Sequence, residues 1–185
     1  MFLRFFVLLN ILLVPFLSKA QRISNSDELG TIITKGGDTL IGDVKQRDSG
    51  LLFRSTDNAS DKKRISYTDV ASFQIGKNKY VYFGSVYKVE KEGKKIGLYS
   101  KEITGTNQPT MNTTLNTYYY FKRPDESRLT QIRAVGVVSF KASFKTTVQK
   151  YFSDCPDLQR LIEQETFGKN QLVEIVDYYE SYCSN

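Results

Sequence analysis

The chain contains no histidine and no tryptophan, only two cysteines, four prolines and two methionines in 185 residues. The missing imidazole is the most restrictive of these. It removes Ser-His-Asp and Cys-His nucleophile pairs, His-ligated zinc and the HExxH helix, so an enzyme would have to work with carboxylates, Lys, Tyr or a lone Cys. A calcium loop of the D-x-D-x-D-G kind, a P-loop and a G-x-G-x-x-G turn are also lacking, and no cofactor or metal is expected. The six aspartates Asp38, Asp43, Asp48, Asp57, Asp61 and Asp69 fall mostly where turns are expected, and Asp in a turn bonds its own backbone. None of them is singled out as catalytic.

What is present begins with an export signal. Arg4 precedes an apolar run from Phe5 to Leu17, and Ser18 and Ala20 are small, which reads as a signal peptide over 1–20 with a mature start at Gln21. The run is too short to span a bilayer and is broken by Asn10 and Pro15, so no transmembrane span is expected in the mature chain. No cysteine follows it to carry a lipid. Loss of Arg4 and Lys19 would lower the net charge from +6 to +4, too mild to point to nucleic acid.

From residue 31 the chain reads as short β-branched or alternating runs separated by turn residues. "TIITKGGDTLIGDVK" predicts a hairpin turning at Gly36-Gly37-Asp38; "LLFRST" and "KRISY" predict a second around "DNASDK". "ASFQI" and "KYVYFGSVYKV" continue the pattern, "EKEGKK" turns the chain into "IGLYSKEI", and "TYYYFKR" and "RLTQIRAV" close it. Residues 105–116 are almost devoid of apolar side chains and predict a surface loop.

The period then changes. Phe140, Phe144, Val148 and Phe152 recur every fourth residue, predicting a helix over 139–152 with Ser139 as cap. A second helix starts with Pro156 in its first turn, capped by Ser153 or Asp154 and stopped by Gly168. A third is capped by Asn170 and carries Leu172, Ile175, Val176 and Tyr179 on one face. Strands first and helices last predict an α+β fold: an antiparallel β-sheet or small open barrel over 21–136, followed by a helical segment over 137–185 packed on it.

Cys155 has two readings. At a helix N-terminus the dipoles favour a reactive thiolate. Two antiparallel helices over 155–166 and 170–182 would instead bring Cys155 level with Cys183, and in an oxidising compartment the pair closes into a disulfide. The second reading is preferred, because no histidine is there to activate a thiol.

Lysines at 77, 79, 88, 91, 94, 95 and 101 interleave with Tyr80, Tyr82, Phe83, Tyr87 and Tyr99, diluted by Glu90, Glu92 and Glu102. Lysines on hairpins guard sheet edges; lysines among aromatic rings also hold polyanions. "TYYYF" sends Tyr118 and Tyr120 to one face and Tyr119 and Phe121 to the other. The candidate ligand-binding residues are therefore Tyr80, Tyr82, Tyr87, Lys88, Tyr118 and Tyr120. Asn58-Ala-Ser and Asn112-Thr-Thr are glycosylation sequons in expected loops.

Taken together, "GTIITKGGDTLIGDVK", "KRISYTDVASFQI" and "VQKYFSDCPDLQRLIEQE" resemble a family of uncharacterised exported proteins common in Bacteroidota, which implies export from a Gram-negative cell. The Gly37-Asp38-x-x-x-Gly42 spacing also resembles SH3-like small barrels. The expected role is a noncatalytic binding or envelope-associated module whose partner is an envelope protein or a polyanionic glycan. The competing expectation is a carboxylate-based hydrolase of envelope glycans.

Overall fold

The computed structural model describes residues 28–58, 60–107, 112–135 and 144–183; the signal segment, Ser139 and Phe140 lie outside them. Ten strands form one antiparallel sheet: β1 (Glu28–Thr34), β2 (Thr39–Arg47), β3 (Gly50–Ser55), β4 (Lys62–Ser66), β5 (Val70–Ile75), β6 (Asn78–Tyr82), β7 (Val86–Glu92), β8 (Gly97–Asn107), β9 (Asn112–Lys122) and β10 (Thr130–Val135). Helices α1 (Phe144–Tyr151), α2 (Pro156–Glu163) and α3 (Leu172–Tyr182) follow, so the fold is α+β as expected.

The strand order is β10-β9-β8-β7-β6-β5-β1-β2-β3-β4. It contains one long jump, from β4 back to β5 beside β1. In a flat sheet those strands would stand four spacings apart, about 19 Å. The chain from Ser66 to Val70 reaches no further than about 15 Å, through the 3₁₀ turn at Tyr67–Asp69. The sheet over β1–β5 must therefore curl. Its inside is filled by Ile32, Val44, Leu51, Phe53, Tyr67, Val70 and Phe73. A four-strand meander whose fifth strand returns to β1 is the connectivity of an SH3-like small barrel, open here because no β4–β5 ladder forms among the described residues.

A second core lies under the helices. Ile96, Leu98, Phe121 and Ile132 from the sheet meet Val148, Phe152, Leu158, Ile162, Leu172, Ile175, Val176 and Tyr179. Cys155 and Cys183 are joined at the edge of this core, with Cα atoms 5.5 Å apart, as the sequence predicts, although the helices it expects over 155–166 and 170–182 are shorter, at 8 and 11 residues.

Four local expectations are corrected. The run 79–89 is not one strand: it breaks at Gly84, whose φ of +74° lets the Phe83 N–H reach the Ser85 carbonyl at 2.9 Å. The expected loop at 105–116 is largely strand, because β8 and β9 pair as far as Asn107 opposite Asn112. Threonine favours the extended backbone there although no core alternation marks it. Helix α2 starts at Cys155 with no side-chain cap and ends at Glu163, with Glu165 rather than Gly168 in the left-handed region at φ +59°. Helix α3 is preceded by Gln171, not Asn170; the Gln171 side chain accepts the Gly168 N–H at 2.7 Å.

Asp154 does not cap α2 because it is held elsewhere. Arg123, in the β9–β10 turn, donates to both its oxygens at 2.8 and 2.9 Å, and the Tyr179 hydroxyl donates to Oδ2 at 2.6 Å. The guanidinium lies between the rings of Tyr151 and Tyr179, 5.0 and 5.3 Å from their centroids. The Tyr151 hydroxyl donates to Glu126 at 2.6 Å, closing a knot between the β9–β10 turn, α1, the α1–α2 link and α3.

A second tie joins α3 to the β7–β8 turn. Glu180 accepts the backbone N–H groups of Lys95 and Ile96 at 2.7 and 2.8 Å. A Cβ at Gly93 would overlap the Glu180 carboxylate. Gly93→Ala is expected to displace it and destabilise the protein by about 1–2 kcal/mol, since the buried Ile96 amide loses its acceptor. Urea unfolding of this variant beside Glu180→Gln checks the assignment: losses of similar size are expected from both.

Candidate functional site

The pleat separates the six candidate residues into two groups on opposite faces of the sheet. Tyr80 pairs with Lys88 and Tyr82 with Val86, and these four residues share the concave face. Tyr87 pairs with Val81 and points the other way. Tyr118 and Tyr120, opposite Lys101 and Tyr99, lie on the same outer face as Tyr87.

On the concave side is a cleft of about 1000 Å³ between the β2–β3 turn and the face of β6–β8. Tyr82 stacks on Tyr67 at 5.5 Å and Tyr80 on Phe73 at 5.0 Å, which gives one wall an aromatic surface. The Tyr67 hydroxyl is fixed by donating to the Arg47 carbonyl at 2.7 Å. Burial raises the Tyr67 and Tyr80 pKa values, so both hydroxyls stay protonated. Lys88 is neutralised by Glu90 at 3.2 Å, and Glu90 also accepts from the buried Ser100 hydroxyl at 2.6 Å. Asp48 and Glu102 line the cleft from different elements, the β2–β3 turn and β8. The cleft offers hydroxyl donors and charges of both signs on an aromatic wall. Sequence reading missed Tyr67, Arg47 and Asp48 as members, since only the return of β5 to β1 brings them opposite Tyr82.

The outer face differs in charge. Phe83 meets Tyr99 edge to face at 5.4 Å, and Tyr87 meets Tyr120 in the same way at 5.2 Å. The Lys101 Nζ lies 5.7 Å from the Tyr87 centroid and the Lys122 Nζ 5.3 Å from that of Phe83. Neither ammonium has a carboxylate partner among the described residues. Burial raises the pKa of Tyr87, Tyr99 and Tyr120, the mark of rings half sunk in their neighbours. Helices α1–α3 pack on the other side, against Leu98, Phe121 and Tyr119, and leave this face open among the described residues.

The lysine cluster of the sequence does not form one patch. Lys79 pairs with Glu92, Lys88 with Glu90 and Lys91 with Asp177 on α3, while Lys95 donates to the Cys183 carbonyl. Only Lys101 of that cluster joins the outer aromatic face, together with Lys122 from β9, which sequence reading did not single out. Its position two residues after Tyr120 was the available signal.

No three carboxylates or thiols come together as a metal site among the described residues. No helix there is long and apolar enough to cross a membrane. The fold and its two faces thus define an α+β sheet protein stapled by a disulfide and presenting aromatic surface on both sides. No protein family, no curated protein and no solved structure matches the chain.

Proposed function

We propose that this protein acts outside the cytoplasm as a noncatalytic, envelope-associated binding module, and that the outer face of β6–β9 holds an acidic glycan. The observation that carries the reading is the set of rings Phe83, Tyr87, Tyr99 and Tyr120 on one face, with Lys101 and Lys122 lying over them and paired with no carboxylate among the described residues. Pyranose C–H faces stack on such rings, and a uronate or sulfate meets the ammonium groups. A disulfide between buried helix ends supports an oxidising compartment.

Titration of the purified protein with a polyuronate and with a neutral glucan of equal length tests the proposal. Binding of the polyuronate alone is expected, weakening as salt rises. Tyr87→Ala and Tyr120→Ala should each cost about tenfold in affinity, roughly 1.4 kcal/mol. Lys101→Gln should cost less, and Tyr82→Ala in the cleft nothing. Equal binding of the neutral glucan would reject the proposal. Release of reducing ends that Glu102→Gln abolishes would favour the hydrolase.

A further inference from the structure

Strands β8 and β9 are each 11 residues long, but their outer neighbours are shorter. The β7 ladder on β8 ends at the Lys88–Ser100 pair, and the β10 ladder on β9 ends at Thr117 opposite Val135. Beyond those points the two strands pair only with each other among the described residues, out to Asn107 opposite Asn112. The result is a two-stranded arm that leaves the sheet with the backbone N–H and C=O groups of one edge of β8 without a strand partner among the described residues.

Sheet edges ordinarily carry devices that repel another strand: charge, proline or a bulge. The terminal strands of this sheet have them. β4 begins Lys62-Lys63-Arg64, all exposed, and β10 is bulged between Gln131 and Arg133. Past Lys101 and Glu102 at its base, the arm has none along its β8 edge. From Ile103 to Phe121 the chain carries no charge, although a quarter of its residues are charged. Ile103 is 41% exposed.

We infer that residues 103–107 of β8 pair antiparallel with the same residues of a second copy. An edge accepts an identical edge through a two-fold axis normal to the sheet. Centred on Gly105, this register sets Thr104 opposite Thr106 and Ile103 opposite Asn107. Glycine meets glycine at the axis, where backbones approach most closely. A chain with a net charge of +6, or +4 without residues 1–20, repels its copy, and this neutral segment is where two copies meet without like charges facing each other. The pairing is short, so the dimer is weak and reversible.

The axis has a geometric consequence. Being normal to the sheet, it leaves the outer aromatic faces of both copies looking the same way, so that one polymer can engage Tyr87 and Tyr120 of each and gain avidity. This consequence rests on the proposed function; the pairing itself does not.

Sedimentation velocity of the oxidised protein over a concentration series tests the pairing. A reversible monomer–dimer equilibrium is expected. Thr104→Lys and Thr104→Glu should each weaken it tenfold or more, and an equimolar mixture of the two should associate at least as well as the parent. A protein monomeric up to its solubility limit, a dimer that neither variant weakens, or a mixture no stronger than its components would overturn the inference. The glycan consequence is read separately: the parent should bind long polyuronate more tightly than short, and Thr104→Lys should bind both alike. A dimer without that length dependence counts against the avidity and leaves the pairing standing.

Discussion

Replacing Cys155 and Cys183 with alanine lowers the unfolding free energy by about 3–4 kcal/mol, the loop-closure entropy expected for a crosslink separated by 28 residues. The bond spans the junction of all three helices, and both sulfurs belong to the core formed with Phe152, Leu158 and Tyr179. Each helix is only 8 to 11 residues long, too short to hold its shape without tertiary support. Urea unfolding of the oxidised, the reduced and the Ala/Ala protein should place the last two together at a lower midpoint. A loss below about 1 kcal/mol would mean that the packing of α1–α3 on the sheet suffices without the crosslink.

Arg123→Ala removes the centre of the knot and is expected to cost about 2–3 kcal/mol. Its side chain is one quarter exposed, and the guanidinium makes two hydrogen bonds to Asp154, one to the Tyr151 carbonyl and two ring contacts. Arg123→Lys keeps the charge and loses the planar group that lies against the Tyr151 and Tyr179 rings, so it should recover only part of the loss. Asp154 is 40% exposed, which keeps the expected cost at the lower end for a charge pair.

The knot also sets a pH window. Burial alone would raise the Asp154 pKa, but hydrogen bonds from Tyr179 and Arg123 outweigh it and hold the carboxyl below its usual range. Its contribution is present above pH 3.8 and is lost as acid protonates the folded state. Burial and the bond to Asp154 push Tyr179 up to about 12, and burial with Glu126 raises Tyr151 as well. For a raised phenol the contribution is present below pH 10, the unfolded value, and fades between there and about 12. Midpoints measured against pH should fall on both sides, and the alkaline fall should be smaller in Tyr179→Phe.

These interactions show how far a linear reading reaches. Cys155 and Cys183 could be matched because two antiparallel helices bring their outer ends together, and helical rise is a local quantity; the lengths were less legible, since α2 stops at Glu163 and α3 starts only at Leu172. The cap at Asp154 failed because capping competes with distant partners, and Arg123 lies 31 positions from Asp154; Ser153 and Asn170 lie outside the N-cap positions, which fall at Cys155 and Gln171. The arm escaped notice for a different reason. A strand is read from the alternation of buried and exposed residues, and an arm with no core beneath it has none to show. Among the binding candidates, the pleat correctly separated Tyr118 and Tyr120 from Tyr119 and Phe121. Lys91 and Lys95 belong to one lysine cluster in sequence, yet Lys91 pairs with Asp177 in the middle of α3 and Lys95 donates to the Cys183 carbonyl at its C-terminal end.

Period, turn chemistry and helix rise act over a few residues, and from the sequence by itself they determined the α+β class, the first two hairpins, the order of strands before helices, and the pairing of the two cysteines. The tertiary structure alone decided that β5 returns to β1, that Tyr67 comes to face Tyr82 across a cleft, and that Lys101 and Lys122 meet above one aromatic surface. Those outcomes depend on strand order and sheet curvature, which are set by contacts between residues far apart in the chain.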